Sequence, residues 1–379
     1  MHWTVHLEGG PRRVNHAAVA IGDKIYSFGG YCTGINYEVT RPMDIHMLHT
    51  ASYRWVLLTI SNREDPDLDQ VPYQRYGHTA VAYNNCAYIW GGRNDKEGSC
   101  NVLYCYNPSE KRWTRLKTSG QIPGERDGHS ACRIGHKMYV FGGYEEVLDK
   151  FSRDVHCLDL ETHRWKKLSV TGTPATWRDF HSATGIGTRM YIFGGRGDSL
   201  APYHSTQEIY CNRIHFFDTV SLTWHTPCTT GVIPRGRRSH SAFVYKDNLF
   251  VFGGYNSLTD QHFSDMYKYD PEKSHWSKVR VHGCGPCPRR RQCCCLVDDR
   301  VFVFGGTSPC TVKSQCVEFN LIDLSDLHVL DFSPSLKTLC MVNAVRLNLD
   351  RTYLPSDIRW EITAMTSNSN ISRSLTTSG

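Results

Sequence analysis

One pattern constrains this chain more than any other. A pair of glycines closes a run of strand-forming residues six times, at residues 25–30 (IYSFGG), 87–92 (AYIWGG), 138–143 (MYVFGG), 190–195 (MYIFGG), 249–254 (LFVFGG) and 301–306 (VFVFGG). Thirteen residues before each first glycine stands His16, His78, His129, His181, His240 or, in the last copy, Gln292. Three residues before those stands an arginine in every copy: Arg13, Arg75, Arg126, Arg178, Arg237 and Arg289. A spacing of 3 and then 13 that holds through six copies is a repeat with a period of about fifty residues. Each repeat is a unit that buries its faces against its neighbours.

Each copy offers four strand candidates. The first follows the histidine, as in residues 129–132, and the second ends at the glycines. The third is clear at residues 154–160 and 265–269, and the fourth carries Trp55, Trp113, Trp165, Trp224 or Trp276. Four strands with Gly-Gly and Trp landmarks resemble the kelch repeat, in which each copy forms one propeller blade. The resemblance covers about residues 3–339 and implies an all-β, six-bladed kelch propeller over residues 1–332. The sixth copy has a third strand at residues 326–331 and no tryptophan after it. Trp3-Thr4-Val5-His6-Leu7 matches the missing fourth strand. The N-terminal strand is therefore expected to complete the last blade and close the ring without an exposed edge.

Composition narrows the setting. Residues 1–10 lack the basic start and apolar run of a signal peptide, and no stretch approaches the ~18 apolar residues of a membrane span. Sixteen cysteines then read as free thiols and small buried hydrophobes of a cytoplasmic protein, with the nucleus as a second compartment. A net charge of +6 permits acidic partners without pointing to nucleic acid, and neither nucleic acid nor membrane is expected as a partner. Cys284-Gly285-Pro286-Cys287 spells a redox string, but Pro288 and three arginines follow it into a strand, where no helix start lowers a thiol pKa. Cys293, Cys294 and Cys295 alternate across a strand, which suits shared zinc ligation poorly. No phosphate loop, nucleophile elbow or carboxylate pair stands out. The expectation is a non-catalytic protein without metal or cofactor.

In an up-and-down sheet the loops entering strand one and those joining strands two and three share one face. The loop lengths vary most there: first glycine to third strand is 10 residues in the second copy (91 to 101) and 21 in the sixth (305 to 326), and residues 60–74 add a further insertion. Variable loops on a rigid scaffold are where binding resides. The same face is expected to carry the six arginines around a funnel, a setting suited to an anion because guanidinium grips carboxylate bidentately. The plainer account makes Arg-x-x-His a structural signature, each arginine pairing a neighbouring blade. Arg235, Arg237 and Arg238 in one copy and Arg289, Arg290 and Arg291 in the next exceed what internal pairing needs.

Beyond the propeller, Ser333 and Pro334 read as helix N-cap and first helical residue, and Leu336, Leu339, Cys340 and Ala344 recur as an apolar stripe. A second short helix follows Leu354-Pro355, with Ile358 and Ile362 one turn apart. Ser335, Leu336, Leu339 and Cys340 resemble the elongin-C-binding box of cullin-RING ubiquitin ligase receptors. Leu354, Pro355, Ile358 and Ile362 resemble the adjoining cullin box of the von Hippel-Lindau type; Ala344 departs from the larger aliphatic usual in the first box. This divides the chain into the propeller, a helical box at residues 333–365 and a flexible tail at 366–379.

The resemblance implies a substrate receptor that recruits elongin B/C, cullin-2 and a RING protein, and promotes proteasomal degradation of proteins ending in glycine. In receptors of this kind the free chain-end carboxylate enters the propeller pocket. By the same resemblance the carboxylate ligands fall on Arg237, Ser264 and, more weakly, Arg289. Asp127 and Asp179 follow ring arginines, so they are expected to accept a basic or amide side chain at the penultimate position beside Trp177, Phe180 and Tyr144. The tail ends in Ser378-Gly379, which offers self-association through another copy's pocket. The rival expectation is a kelch scaffold or cytoskeletal protein whose C-terminal helix merely packs on the propeller.

Overall fold

The computed structural model describes residues 1–37, 39–58, 68–310 and 320–372. Six blades of four antiparallel strands surround an axis, three of them extended by a short parallel strand at Ser119–Gly120, Thr171–Gly172 and Thr230–Gly231. Blade 1 begins with Ala17–Ile21, blade 2 with Tyr76–Tyr83, blade 3 with Ser130–Ile134, blade 4 with Ser182–Ile186, blade 5 with Ser241–Tyr245 and blade 6 with Cys293–Val297. The second strands, such as Lys137–Phe141 and Arg300–Phe304, are buried at four successive positions, because both of their faces meet a neighbouring blade. Outer strands bury little beyond their tryptophan, as in Arg164–Lys167.

The repeat's landmarks are inter-blade joints. Each fourth-strand tryptophan packs on the last aromatic of the preceding blade's second strand: Trp165 on Trp90 at 5.3 Å, Trp224 on Phe141 at 5.0 Å, Trp276 on Phe193 at 5.1 Å. Each second glycine donates its N–H to the carbonyl of the next blade's repeat arginine, for example Gly92 to Arg126 at 2.9 Å and Gly306 to Arg13 at 2.9 Å. The histidine ring lies on the preceding blade's first glycine. A Cβ added at Gly91 would stand 2.2 Å from His129 Cε1 while φ is +73°, so only glycine serves there.

A second ring runs nearer the axis, through the residues that precede the histidines. Asn15, Gly77, Gly128, Phe180, Ser239 and Arg291 all have φ between 50° and 68°. Their backbones form a closed cycle: Arg291 N–H to Ser239 O, Ser239 to Phe180, Phe180 to Gly128, Gly128 to Gly77, Gly77 to Asn15 and Asn15 to Arg291, at 2.7–3.2 Å. The left-handed turn at each residue aims its N–H around the axis instead of along the strand.

Closure is by the N-terminal strand, as the sequence predicts. His2–Leu7 pairs antiparallel with Leu327–Asp331. Trp3 fills the tryptophan position of blade 6, 6.2 Å from Phe252 of blade 5.

Two helices, α1 (Leu336–Arg346) and α2 (Ser356–Thr366), lie over this N-terminal strand. The cap of α1 differs from expectation. Ser333 donates its N–H to Asp331 in the turn leaving the sheet, so Ser335 is the N-cap, its Oγ accepting from Thr338 N–H at 3.0 Å. The buried face also differs: Met341, with Val342 and Val345, packs on Val5, Leu7 and Phe302, whereas Leu336 is 78% exposed and Cys340 is exposed. In α2, Ile362 and Met365 are buried in the same cluster, with Leu354 and Ile358 against it. The tail expected to be free from residue 366 is held through Ser372. Ser369 N–H donates to Glu8 O and Ile371 N–H to Gly9 O, both at 2.9 Å. Ser378 and Gly379 lie outside the described residues.

Candidate functional site

The six repeat arginines do not line a funnel. Arg75, Arg126, Arg178, Arg237 and Arg289 are all at most 1% exposed. Each of these folds into its own blade and donates from Nη1 to the first glycine's carbonyl, as Arg237 does to Gly253 O at 2.9 Å. That carbonyl ends a strand and needs a donor. Carboxylates complete several of the sites: Asp265 meets Arg237 at 2.7 Å, Asp326 grips Arg289 bidentately at 2.7 and 2.6 Å, and Glu145 meets Arg126 at 2.6 Å. Arg13 donates to Asp44. The plainer account of Arg-x-x-His therefore holds, with the partner in the same blade rather than the next. Arg237 and Arg289 thus sit behind the funnel wall, although Arg237 Nη2 has no partner among the described residues.

The residues that follow each arginine stand nearer the funnel, Tyr76, Arg238 and Arg290 half-buried and Val14, Asp127 and Asp179 buried. Behind the axial ring of φ-positive residues lies a small cavity of about 120 Å³ floored by the repeat histidines. Next outward come Val14, Tyr76, Asp127, Asp179, Arg238 and Arg290. Each pairs through the backbone with the residue after its blade's glycines: Tyr31, Arg93, Tyr144, Arg196, Tyr255 and Thr307. Short hairpins continue above these, such as Tyr144–Glu145 with Lys150–Phe151 and Arg196–Asp198 with Glu208–Tyr210. This is the elaborated face expected from loop lengths, although residues 60–67 of its insertion lie outside the described residues.

Charge divides the funnel. On the side of blades 4 to 6, Arg196, Arg238, Arg290 and Arg291 gather, and the first two hold two carboxylates. Asp179 is held by Arg196 at 3.1 and 2.5 Å, and Glu208 by Arg238 at 2.9 Å and Arg196 at 3.5 Å. Burial alone would raise the Glu208 pKa, but hydrogen bonds from Ser257 and Tyr210 and the two arginines hold it down at about 2. No ion pair joins Arg290 or Arg291 to any described residue, and Nε of each is buried without a partner. Arg290 instead lies 4.2 Å over the Tyr255 ring. Burial, then Arg290 and Arg238, push Arg291 down to about 10, against a smaller opposing pull from Tyr76 and Asp323, the sign of cations crowded together.

The opposite side carries Asp127. It is buried and has no ion pair among the described residues, and burial followed by Asp179 raises it to about 7. Of the expected side-chain readers, Phe180 is in the axial ring and Tyr144 stands next to Asp127. Trp177 is covered by the Arg153 guanidinium at 3.8 Å. Asp179 is spent on Arg196, so it is no longer free to take a ligand cation. Ser264 is exposed beside Asp265, and no hydrogen bond joins it to a funnel arginine among the described residues. Arg290 and Arg291 were visible in the sequence as surplus cations. Their orientation was not, because it follows from the left-handed turn at Arg291. Among the described residues His6, Asp326 and His328 hold ligand atoms within 4.8 Å, but Asp326 is committed to Arg289.

Fold and site together define a closed kelch propeller, a scaffold for protein interaction with one elaborated, charge-divided face. The chain belongs to the kelch-repeat family: the KLHDC2/KLHL20/DRC7 Kelch-repeats domain matches residues 77–306. It is similar to Kelch domain-containing protein 3 of Bos taurus and of Homo sapiens, 54% identical to each over 379 residues, which is 100% of this chain and 99% of each relative. It is also 30% identical to Host cell factor 2 of Homo sapiens over 253 residues, 63% of this chain and 31% of that protein. No helix among the described residues is long and apolar enough to cross a membrane.

Proposed function

We propose that the chain is the substrate-recognition subunit of a cullin-RING ubiquitin ligase, which takes the carboxyl-terminal glycine of its substrates into the funnel. The observation that carries this reading is the crowded, unpaired pair Arg290 and Arg291 beside Arg238 at the funnel floor. A carboxylate there relieves cation repulsion and satisfies buried N–H groups, a gain a neutral ligand does not provide. Arg237 and Arg289 act behind it by holding the wall. Glycine suits the terminal position because no side chain stands between the carboxylate and the axial ring. Asp127, ionised above pH about 7, faces the same space and suits a basic penultimate side chain. The exposed Leu336 and Cys340 on α1 suit elongin B/C, with cullin-2 and a RING protein beyond it.

A specific observation favours a second reading. Met341, Ile362 and Met365 do pack α1 and α2 on the propeller, as a ligase-free kelch scaffold would require. The functional test is binding of a peptide ending in Arg-Gly, compared as free acid and as amide. Acid binding at least tenfold tighter, abolished by Arg291→Ala, is expected. Equal binding of acid and amide sinks the chain-end reading.

A further inference from the structure

The hairpins above the funnel differ in chemistry. Blade 2 presents Asp95-Lys96-Glu97, charged throughout. Blades 3 to 5 instead expose Val147 and Leu148, Leu200 and Tyr203, and Leu258, the first of them 80% exposed. Each tip rises from a funnel residue, since Asp127, Asp179 and Arg238 pair with the bases of these three hairpins at Tyr144, Arg196 and Tyr255. The tips of blades 3 and 4 are fused: Lys150 pairs with Tyr203, and Phe151 N–H donates to Pro202 O at 2.7 Å. Scattered apolar side chains on a surface are ordinary, but several along one edge of a charged funnel mark an interaction surface.

We infer that this rim holds the stretch of substrate leading into the funnel, and that it selects apolar side chains about three to five residues before the chain end. The inference rests on the chain-end reading above. The hairpins are two or three residue pairs tall, which at roughly 3.3 Å per residue sets the rim about 7–10 Å above the wall, the reach of about three extended residues. The occupant is an extended peptide rather than a folded surface, because one ligand must touch both the arginines at the floor and the apolar tips.

The experiment uses the full chain and peptides ending in Arg-Gly, with leucine or serine at the third and fifth positions from the end, each as acid and amide. The leucine acid is expected to bind about tenfold more tightly than the serine acid, a gain of the size two half-buried leucines provide. Leu148→Ser with Leu200→Ser, both exposed and so neutral to folding, is expected to erase that preference while leaving serine-acid affinity unchanged. Equal binding of the two acids by the native protein overturns the rim. So does a double variant that weakens both acids alike, or one that changes the oligomeric state without changing selectivity. Acid and amide binding alike would remove the chain-end reading and the rim with it. A carboxylate preference without a leucine preference removes the rim alone.

Discussion

At the scale of single residues, one position in each repeat decides the outcome. The residue before each histidine adopts positive φ, and this turns the arginine two places earlier inward and the next two side chains toward the axis. Only Gly77 and Gly128 announce that turn in the sequence. Phe180, Ser239 and Arg291 do not, since the closed cycle of backbone hydrogen bonds imposes a conformation that their side chains disfavour. The arginine spacing was therefore legible and its direction was not, which is why Arg237 and Arg289 were expected where Arg238, Arg290 and Arg291 stand. Asp127 gives the test at this scale. Its carboxyl is raised from about 3.8 to about 7 mainly by burial, so the folded state holds a proton that the unfolded state releases between those values. Stability from this group is complete at low pH and lost as pH rises through that window. Asp127→Asn is expected to stabilise the fold at pH 8 by on the order of 1–3 kcal/mol, discounted from the full shift, with no gain at pH 4. The same variant should weaken a penultimate arginine only above pH about 7. Thermal melts at both pH values check the first half, and a gain independent of pH would refute it.

At the scale of elements, the strands were readable because Gly-Gly, Trp and His mark fixed places in each blade. The helices were readable in position but not in facing. Both sides of α1 carry apolar residues, Leu336 and Cys340 on one and Met341 and Val345 on the other. Periodicity cannot say which side the propeller covers, and the structure seats the second on Val5 and Leu7. The two faces give opposite predictions. Leu336→Asp changes an exposed side chain and is expected to move stability by no more than about 0.5 kcal/mol, while abolishing co-purification with elongin B/C and cullin-2. Ile362→Asp puts a charge at a site 1% exposed and is expected to cost about 3–5 kcal/mol. Elongin association that survives Leu336→Asp would leave the helices as a propeller cap alone.

At the scale of the whole molecule, the blades are joined to one another by the same device that makes the ring sensitive to acid. Five histidines, with Gln292 in the sixth place, lie packed on their neighbours' glycines around the axis, and burial is the largest influence on each. It pushes His16, His78 and His240 down to about 3 and His129 and His181 well below their ordinary value of 6.5. His46, His156 and His215, held near 4, lie on the third strands of their blades and add to the same effect. Between about pH 6.5 and 3 the unfolded chain therefore binds protons that the folded ring refuses. Stability falls as the medium is acidified, by about 1.4 kcal/mol per pH unit for each such histidine. Asp127 and Asp179, both raised by burial, act in the opposite sense, but they are two groups against several. Unfolding at pH 5 is expected to take up about one proton for each of these histidines, measured from the slope of stability against pH, and the melting temperature should drop steeply below pH 6. The sixth copy shows how to lighten the burden: Gln292 Nε2 donates to Phe252 O at 3.1 Å, the bond His78 Nε2 makes to Phe28 O at 3.1 Å. His78→Gln is thus expected to keep the ring closed and to lower the proton uptake at pH 5 by about one. A variant that melts with the native slope would mean that His78 is already protonated in the folded ring, and that the axial cavity carries charge instead of excluding it.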